Sequence, residues 1–204
     1  MQTIHKLFHV LMLVFFQNYL YSQSTTIDSL VIYDTILNSN TSGKADFILG
    51  VDSYVKQRDW ILDLGDCIEM AYQGILGWGA VFITIGEPYE DRKKNKRKDD
   101  DYSMYNFFSV DLKGKEGKEF IEIALKDKLD LNDGSETKIP IIVTKNWNSY
   151  EIPLNDFVTA DLQTLHVVAT FVFRGQDDRT IYFRNIKFLK KKINTESKSS
   201  INKN

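Results

Sequence analysis

Two runs near the C-terminal end of the chain constrain its fold most, WNSYEIPLNDF at residues 147–157 and TIYFRNIKFL at residues 180–189. In both runs, apolar and aromatic residues alternate with polar ones over the length of a strand. Pro153 indicates that the first strand ends there or lies at a sheet edge, because proline has no N–H to donate to a β-ladder. These two runs therefore predict a protein built from strands.

Further short strand-like runs precede them, separated by polar or glycine-rich turns. The predicted strands are residues 29–35, 67–73, 80–85, 107–113, 120–126, 139–143, 150–154, 165–173 and 180–189. The run 165–173 is apolar on both faces, so it is predicted to be the longest strand and central in its sheet. The apolar residues of 47–66 show no clear periodicity, so no secondary structure is predicted there. This spacing favours an all-β fold, a two-sheet antiparallel β-sandwich, over alternating helices and strands.

The two ends of the chain differ in composition from this middle part. Lys6, the apolar run 7–16 and a polar exit are typical of a secretory signal peptide at residues 1–23, although a short buried helix is the alternative. The apolar run is too short to span a bilayer as a helix. Residues 191–204 are polar and are predicted to be disordered. We therefore expect a secreted protein, extracellular or periplasmic, with one domain at residues 29–190 and no integral membrane segment after signal cleavage.

Charge and residue inventory argue against several classes of function. A net charge of −2 gives no general attraction to nucleic acid, and in residues 90–101 six basic residues are balanced by five acidic ones. His5 and His9 lie in the predicted signal peptide, which leaves His166 and the single cysteine, Cys67. One residue of each type is too few for a zinc site or a catalytic triad. We expect His166 and Cys67 to be buried structural residues, and no disulfide within the chain.

Paired carboxylates are the remaining route to an enzyme. Glu69, Glu122 and Asp127 fall in or beside predicted strands, and a glycoside hydrolase could use Glu122 with a second acid. Carboxylates at alternate strand positions are also what a solvated sheet face contains. We therefore expect no catalytic activity and keep hydrolysis as an alternative.

Aromatic residues in glycine-rich or polar surroundings are the stronger functional signal. Sugar rings present apolar faces between hydroxyl groups, so a glycan site needs flat aromatic platforms and a few hydrogen-bonding side chains. Trp78 stands among Gly74, Gly77 and Gly79, which predict a tight turn or a close approach of the backbone. The predicted ligand-binding residues are Trp78, Tyr72, Tyr102, Tyr105 and Arg174. Packing of each aromatic ring in the core is the alternative.

The order of the motifs resembles that of a known group of proteins. The motifs occur in a fixed order along the chain. They are IYD at residues 32–34, GWGAVFI at 77–83, FFSVDLKGKEGKEFIEIAL at 107–125, the first C-terminal run at 147–157, LHVVATFVF at 165–173 and the second C-terminal run at 180–189. This succession resembles secreted jelly-roll carbohydrate-binding modules with the galactose-binding-like fold. The resemblance implies two packed antiparallel sheets, no catalysis, and a polysaccharide or other glycan bound on a concave face or at the loop rim. The same fold also serves protein binding, so a cell-surface protein-interaction module is an alternative.

Modules of this group often hold a structural calcium ion between the start of the domain and the final strand. Asp34 matches the start, but Arg184 stands directly before Asn185, where a carboxylate is common. An arginine cannot ligate a cation that prefers oxygen ligands. The sequence therefore does not complete this calcium site, so we expect no cofactor, with a structural calcium ion as the alternative.

Overall fold

A computed structural model describes residues 28–33, 47–54, 60–86, 97–130 and 133–191. These residues form two antiparallel β-sheets packed face to face, which confirms the predicted β-sandwich. The strands, in chain order, are β1 (Asp28–Tyr33), β2 (Phe47–Ser53), β3 (Ile61–Asp63), β4 (Ile68–Tyr72), β5 (Trp78–Ile85), β6 (Phe107–Gly114), β7 (Glu119–Asp127), β8 (Lys138–Val143), β9 (Asn148–Pro153), β10 (Leu165–Arg174) and β11 (Arg179–Lys190). Short 3₁₀ helices lie at Gly74–Leu76, Leu154–Asp156 and Leu162–Thr164. No helix in this part of the chain is long and apolar enough to cross a membrane.

The two sheets have different strand orders. One sheet has six strands in the order β3-β4-β11-β6-β9, with β1 also paired to β11. The strands β1 and β4 pair with opposite ends of β11, through Asp28↔Lys190 and Tyr72↔Arg179 respectively. The other sheet has five strands in the order β2-β5-β10-β7-β8. Its outer face carries the candidate site described below.

Aromatic contacts join the inner faces of the two sheets. Phe171 of β10 stacks on Phe183 of β11, with ring centroids 4.8 Å apart and planes at 24°. Phe173 packs against Tyr72 at 5.1 Å and against the edge of Trp60 at 5.4 Å. Fully burying an aromatic or large aliphatic side chain contributes about 1.5–3 kcal/mol, so these rings are a principal source of the cohesion between the sheets.

The strands follow the sequence-based predictions closely. Each of the nine predicted runs coincides with an observed strand, although residues 34–35 of the first run lie outside the described part. β10 is central in its sheet, as predicted, but β11, with 12 residues, is longer than β10, with 10. Pro153 ends β9 at a sheet edge, as predicted. Two observed strands, β2 and β3, were not predicted from the sequence.

The predictions for the chain ends fall largely outside the described residues. Residues 1–23, the predicted signal peptide, lie wholly outside them, as does the predicted tail after Lys191. Most of the charged run 90–101 also lies outside the described residues, because the described part after residue 86 begins at Arg97. The signal peptide and the disordered tail therefore stay predictions.

Candidate functional site

A groove crosses the outer face of the five-stranded sheet. In β5 the side chains of Trp78, Phe82 and Thr84 line the groove, whereas the intervening Val81 and Ile83 are buried in the core. This alternation follows from the two-residue period of a strand. The groove has a volume of about 520 Å³ and is lined by both aromatic and charged side chains. A concave surface of this size with a few polar groups is the usual form of a ligand site.

One end of the groove is aromatic. The rings of Tyr54 and Trp78 lie with centroids 5.6 Å apart and planes tilted by 42°. Tyr54 is 80% exposed and Trp78 is half-buried, so both rings reach solvent. Two adjacent rings of this kind offer a platform for the apolar face of a ring-shaped ligand.

The glycines before Trp78 bring the chain to this position. A β-carbon at Gly74 would lie 1.8 Å from the carbonyl oxygen of Gln176, so only glycine fits against the β10–β11 turn. Gly77 has φ +65°, in the left-handed region that glycine adopts without strain. Its N–H donates to the carbonyl oxygen of Gly74 at 3.0 Å, which closes the turn. The predicted tight turn around Trp78 is thus confirmed.

A charged pair lies directly beside the aromatic end. Arg174 stands opposite Trp78 in the ladder between β10 and β5. Its Nε donates to Glu122 Oε2 at 3.0 Å, and the Arg174 side chain remains 52% exposed. The guanidinium is therefore oriented by one carboxylate while other N–H groups stay accessible. Such groups can donate to hydroxyl or carbonyl oxygens of a ligand.

The opposite end of the groove is built around a buried ion cluster. Glu136 is 8% exposed, and its carboxylate lies 3.1 Å from Lys126 Nζ and 3.2 Å from Lys138 Nζ. Burial raises the pKa of Glu136, but a backbone hydrogen bond and Lys126 outweigh it, so the pKa lies below its ordinary value. Glu136 is therefore ionised near neutral pH and holds both ammonium groups in place.

The floor between the two ends carries two buried polar residues. His166 is buried, and its Nδ1 lies 2.8 Å from the carbonyl oxygen of Lys98. Because a carbonyl only accepts, Nδ1 carries the proton and donates. Burial lowers the pKa of His166, which keeps the ring neutral. Thr170 is also buried in the floor, and its hydroxyl has no hydrogen-bond partner among the described residues.

The structure brings only some of the predicted site residues together. Trp78 and Arg174 are neighbours in the groove. Tyr72 is 1% exposed in the core, where its hydroxyl donates to the carbonyl oxygen of Gly175 at 2.8 Å. Tyr102 is fully buried against Phe188 at 4.6 Å. This corrects the expectation that the two tyrosines are exposed platforms, since a buried ring has no free face for a ligand.

Tyr105 also lies away from the groove. It is half-buried and packs against Tyr102 and Phe188, with centroid distances of 6.4 and 6.1 Å. Conversely, two residues that line the groove, Tyr54 and Phe82, were not among the predicted ligand-binding residues. The two-residue alternation from Trp78 could have identified Phe82, because both lie on one face of β5. Tyr54 could not be placed, since β2 was not predicted.

The acids considered for hydrolysis do not form a catalytic pair. Glu122 is held by Arg174, and Asp127 accepts from the N–H groups of Leu129 and Asp161. Glu122 and Asp127 are five positions apart along β7, which is about 16 Å at the rise of a strand. Hydrolysis requires carboxyl groups about 5–9.5 Å apart. Glu69 lies in β4 of the other sheet.

The surroundings of Arg184, the position where the calcium-holding modules commonly have a carboxylate, do not fit a cation. Asp111 Oδ2 accepts from the side-chain amide of Asn185 at 2.8 Å and lies 3.6 Å from Arg184 Nε. Arg184 in turn stacks over the ring of Trp147 at 4.2 Å. A guanidinium therefore occupies the place where the family pattern would need an oxygen ligand. Asp34 lies outside the described residues.

Comparison with known families gives one match. The model of the family described as Carbohydrate binding domain 30 matches residues 73–190, more than half of the 204 residues. The matched range contains β5, β10, β7 and β8 of the groove-bearing sheet, whereas β2 lies before it. No curated protein matches the chain.

Several solved structures share the fold. The family 30 carbohydrate-binding module of the cellulosomal cellulase Cel9D-Cel44B of Clostridium thermocellum has a TM-score of 0.56 and 19% identity, over 81% of this chain and 99% of that chain. The family 11 module of the same organism, in complex with a β-1,3-1,4-mixed-linked tetrasaccharide, has a TM-score of 0.53 and 16% identity, over 81% and 98%. Another family 30 module has a TM-score of 0.51 and 21% identity, over 87% and 94%. At these identities the likeness establishes a shared fold.

Proposed function

This chain belongs to the Carbohydrate binding domain 30 family, and from that premise we propose that it binds a glycan chain in the groove of the five-stranded sheet. The function is non-catalytic glycan binding, and the proposal concerns where and how the glycan is held. Tyr54 and Trp78 stack on the apolar face of a sugar unit. Arg174, oriented by Glu122, donates hydrogen bonds to its hydroxyl groups.

One observation supports this assignment above the others. The aromatic pair and the charged pair are adjacent on a single exposed face, since Arg174 stands opposite Trp78 in the ladder. A sugar unit needs both kinds of contact within its own width. Elsewhere on the described surface, Trp147 is covered by the guanidinium of Arg184 at 4.2 Å, which leaves less of its ring for a ligand.

The form of the groove and one structural neighbour support a proposal for the class of glycan. The groove is open along the sheet face and nearly balanced in charge, which suits a neutral, extended chain. The family 11 neighbour was solved with a β-1,3-1,4-mixed-linked tetrasaccharide. We therefore propose a neutral β-linked glucan as the ligand class and that tetrasaccharide as the first probe.

Trp78→Ala and Trp147→Ala form a matched pair of variants for testing the groove. Titration calorimetry with the mixed-linked tetrasaccharide, and retention by mixed-linked β-glucan in affinity electrophoresis, measure the effect of each change. We expect Trp78→Ala to lose at least tenfold in affinity, which is about 1.4 kcal/mol, and Trp147→Ala to bind like the wild type. Loss with Trp147→Ala but not with Trp78→Ala would contradict the groove assignment. Circular dichroism establishes that both variants are folded.

The same pair of variants separates glycan binding from protein binding. A protein-interaction module would retain the polysaccharide unchanged in Trp78→Ala while losing a protein partner. We expect instead that Trp78→Ala loses retention by the polysaccharide. Absence of any glycan binding by folded wild-type protein would overturn the proposal.

We also propose that the protein is exported. This rests on the sequence of residues 1–23, which lie outside the described residues. Expression of the full chain in a secreting host, followed by mass spectrometry of the exported protein, tests it. A product that begins near Gln23 is the expected result, and an uncleaved chain retained inside the cell contradicts it.

A further inference from the structure

The outer face of the six-stranded sheet, on the other side of the sandwich from the groove, carries two cations on one aromatic ring. The guanidinium carbon of Arg184 lies 4.2 Å from the centroid of the Trp147 ring, and Lys113 Nζ lies 5.2 Å from it. Lys113 Nζ also lies 4.5 Å from the ring centroid of Tyr182. We call Tyr182, Lys113, Trp147 and Arg184 the cationic row.

The strand period and the register of the sheet produce this row. In β11 the side chains of Ile181 and Phe183 are buried in the core, so the alternating Tyr182 and Arg184 face outwards. Tyr182 stands opposite Lys113 in the ladder between β11 and β6. Trp147 directly precedes β9, the next strand of the sheet. The row therefore crosses three neighbouring strands, about 10 Å at the spacing of strands.

Both cations lack a bonded anion among the described residues. There the Lys113 ammonium has no ion pair and no hydrogen bond, and Arg184 Nε has no hydrogen-bond partner. The nearest carboxylate, that of Asp111, lies 3.6 Å from Arg184 Nε. Its oxygens already accept from Asn185 Nδ2 at 2.8 Å and from Ser149 Oγ at 2.5 Å. The rings therefore hold two cations whose N–H groups remain available to a ligand.

The other charges of this face do not neutralise the row. Glu69 stands opposite Tyr182 and accepts from its hydroxyl, which together with burial raises the pKa of that hydroxyl. Lys115, directly after β6, is exposed and adds a third positive charge near this end of the strand. Three cations thus surround two carboxylates that already accept hydrogen bonds. A positive surface of this kind attracts a negatively charged ligand.

The surface suits a polar polymer better than a folded protein. A protein interface needs an apolar core, but no large apolar side chain among the described residues of β6, β9 and β11 is exposed. Ammonium and guanidinium groups form charge-assisted hydrogen bonds with carboxylates. Because the cations are spread over neighbouring strands, a linear chain with repeated carboxylates can engage more than one of them.

We propose that the cationic row is a second binding site, separate from the groove, for a glycan that carries carboxylate groups. Lys113 and Arg184 donate to the carboxylates, and the rings of Trp147 and Tyr182 hold the two cations in position. The ligand does not stack on Trp147, because Arg184 covers that ring. The two sites lie on opposite faces, so one molecule can bind a neutral and an acidic polysaccharide together.

Single charge removals test this inference. Calorimetry with oligogalacturonate, an oligomer of uronic acids, is performed on the wild type, Lys113→Gln and Arg184→Gln. Lys190→Gln is the matched control, because Lys190 is exposed and ends the same strand β11 at the far end from Tyr182. The ligand is offered at about 0.01 M and about 0.15 M salt, where the Debye length is about 30 Å and about 8 Å.

The expected result is a loss confined to the row. Lys113→Gln and Arg184→Gln should each lower affinity for oligogalacturonate about 3- to 10-fold at low salt, the range of one hydrogen bond. Wild-type binding should weaken at the higher salt, and Lys190→Gln should match the wild type. No binding by the folded wild type, or an equal loss in Lys190→Gln, overturns the inference. Equally tight binding of oligoglutamate with the same number of carboxylates also overturns it, since the surface would then bind any polyanion.

The groove variant separates this inference from the proposed function. Trp78→Ala should lose the neutral tetrasaccharide and keep oligogalacturonate, whereas Arg184→Gln should do the reverse. Loss of oligogalacturonate in Trp78→Ala alone would place the acidic ligand in the groove and overturn the inference. If the wild type binds oligogalacturonate through the row but no neutral glucan, the groove proposal fails and the second site stands.

Discussion

The ring of Phe82 lies directly over the α-carbon of Gly50, so that a β-carbon at position 50 would come within 2.2 Å of Phe82 Cε2. The two residues stand opposite each other in the ladder between β2 and β5. The missing side chain of Gly50 therefore determines how flat the Phe82 ring lies in the floor of the groove. The shape of the groove therefore depends on Gly50, which has no side chain that could contact a ligand.

We expect Gly50→Ala to lower both stability and glycan affinity. The new methyl group forces the Phe82 ring to move. Because the ring is half-buried and its end can turn towards solvent, we expect a cost at the lower end of the range for overpacking, about 1 kcal/mol. The displaced ring also rises into the groove, so affinity for the mixed-linked tetrasaccharide should fall. Urea unfolding measures the first effect and calorimetry the second.

The double variant tests whether Phe82 transmits the effect of Gly50→Ala. In a Phe82→Ala background the clash is removed, so Gly50→Ala should change the free energy of unfolding much less than it does in the wild type. Such non-additivity is expected of residues in direct contact. Equal costs of Gly50→Ala in both backgrounds would show that the Phe82 ring is not what position 50 controls.

The pair of Arg174 and Glu122 leads to a second prediction. Glu122→Gln removes the charge that orients the guanidinium but leaves a side chain of the same size. Because half of the Arg174 side chain is exposed, the pair contributes only about 0–1 kcal/mol to stability. We therefore expect nearly unchanged unfolding in urea and a several-fold loss of affinity, measured by calorimetry with the tetrasaccharide.

The same variant bears on the hydrolysis alternative. Wild-type protein incubated with a panel of polysaccharides and aryl glycosides should release no product. Product release that disappears in Glu122→Gln would contradict the assignment of Glu122 as the residue that positions Arg174.

The sequence was sufficient to place nine of the eleven described strands and insufficient to separate exposed aromatic residues from those of the core. Alternation and turn residues identified nine strands because one face of each is buried. β2 was missed because its run, FILGVDS, contains Gly50 and ends in polar residues, which weakens both the apolar period and the strand propensity. Without β2, neither Tyr54 nor the Gly50–Phe82 contact could be anticipated.

The misassigned tyrosines show a different limit. Tyr72 shares its face of β4 with Ile68 and Met70, both fully buried. The two-residue alternation of apolar residues in this strand by itself favours a core position for Tyr72. Tyr102 precedes β6 in a segment where apolar residues show no regular spacing. Nothing in the sequence therefore indicated that Phe188, which is distant in sequence, packs over its ring. Trp78 and Arg174 were chosen as candidate ligand-binding residues for their chemistry, but their proximity depends on the register between β5 and β10.

The structural role of Tyr72 gives a third prediction. Tyr72→Phe removes the hydrogen bond to the carbonyl oxygen of Gly175 and keeps the ring stacked on Phe173. We expect a destabilisation of about 1 kcal/mol, typical of one hydrogen bond, and unchanged affinity for the tetrasaccharide. A loss of affinity in a protein that unfolds like the wild type would return Tyr72 to the binding site.

The fourth prediction concerns the pH dependence of stability at the ion cluster of Glu136. The pKa of Glu136 is lowered in the folded protein: burial acts to raise it, but the backbone hydrogen bond and the charge of Lys126 outweigh burial. The stability that its ionised form contributes is therefore fully present above the ordinary pKa of a glutamate, about 4.3. That contribution is lost as the pH falls through the lowered folded-state pKa.

Glu136→Gln isolates this contribution, because the amide resembles the protonated acid and cannot titrate. At pH 7 the change leaves Lys126 and Lys138 without their shared carboxylate, so we expect a loss of about 3 kcal/mol, as for a broken buried ion pair. The difference between wild type and variant should shrink as the pH is lowered from 5 towards 3. Urea unfolding at each pH measures this difference in the free energy of unfolding. The titration of His166, whose pKa is lowered by burial, occurs in both proteins and therefore cancels in the difference. A difference that stays constant over this range would mean that the Glu136 carboxylate contributes through packing and not through its charge.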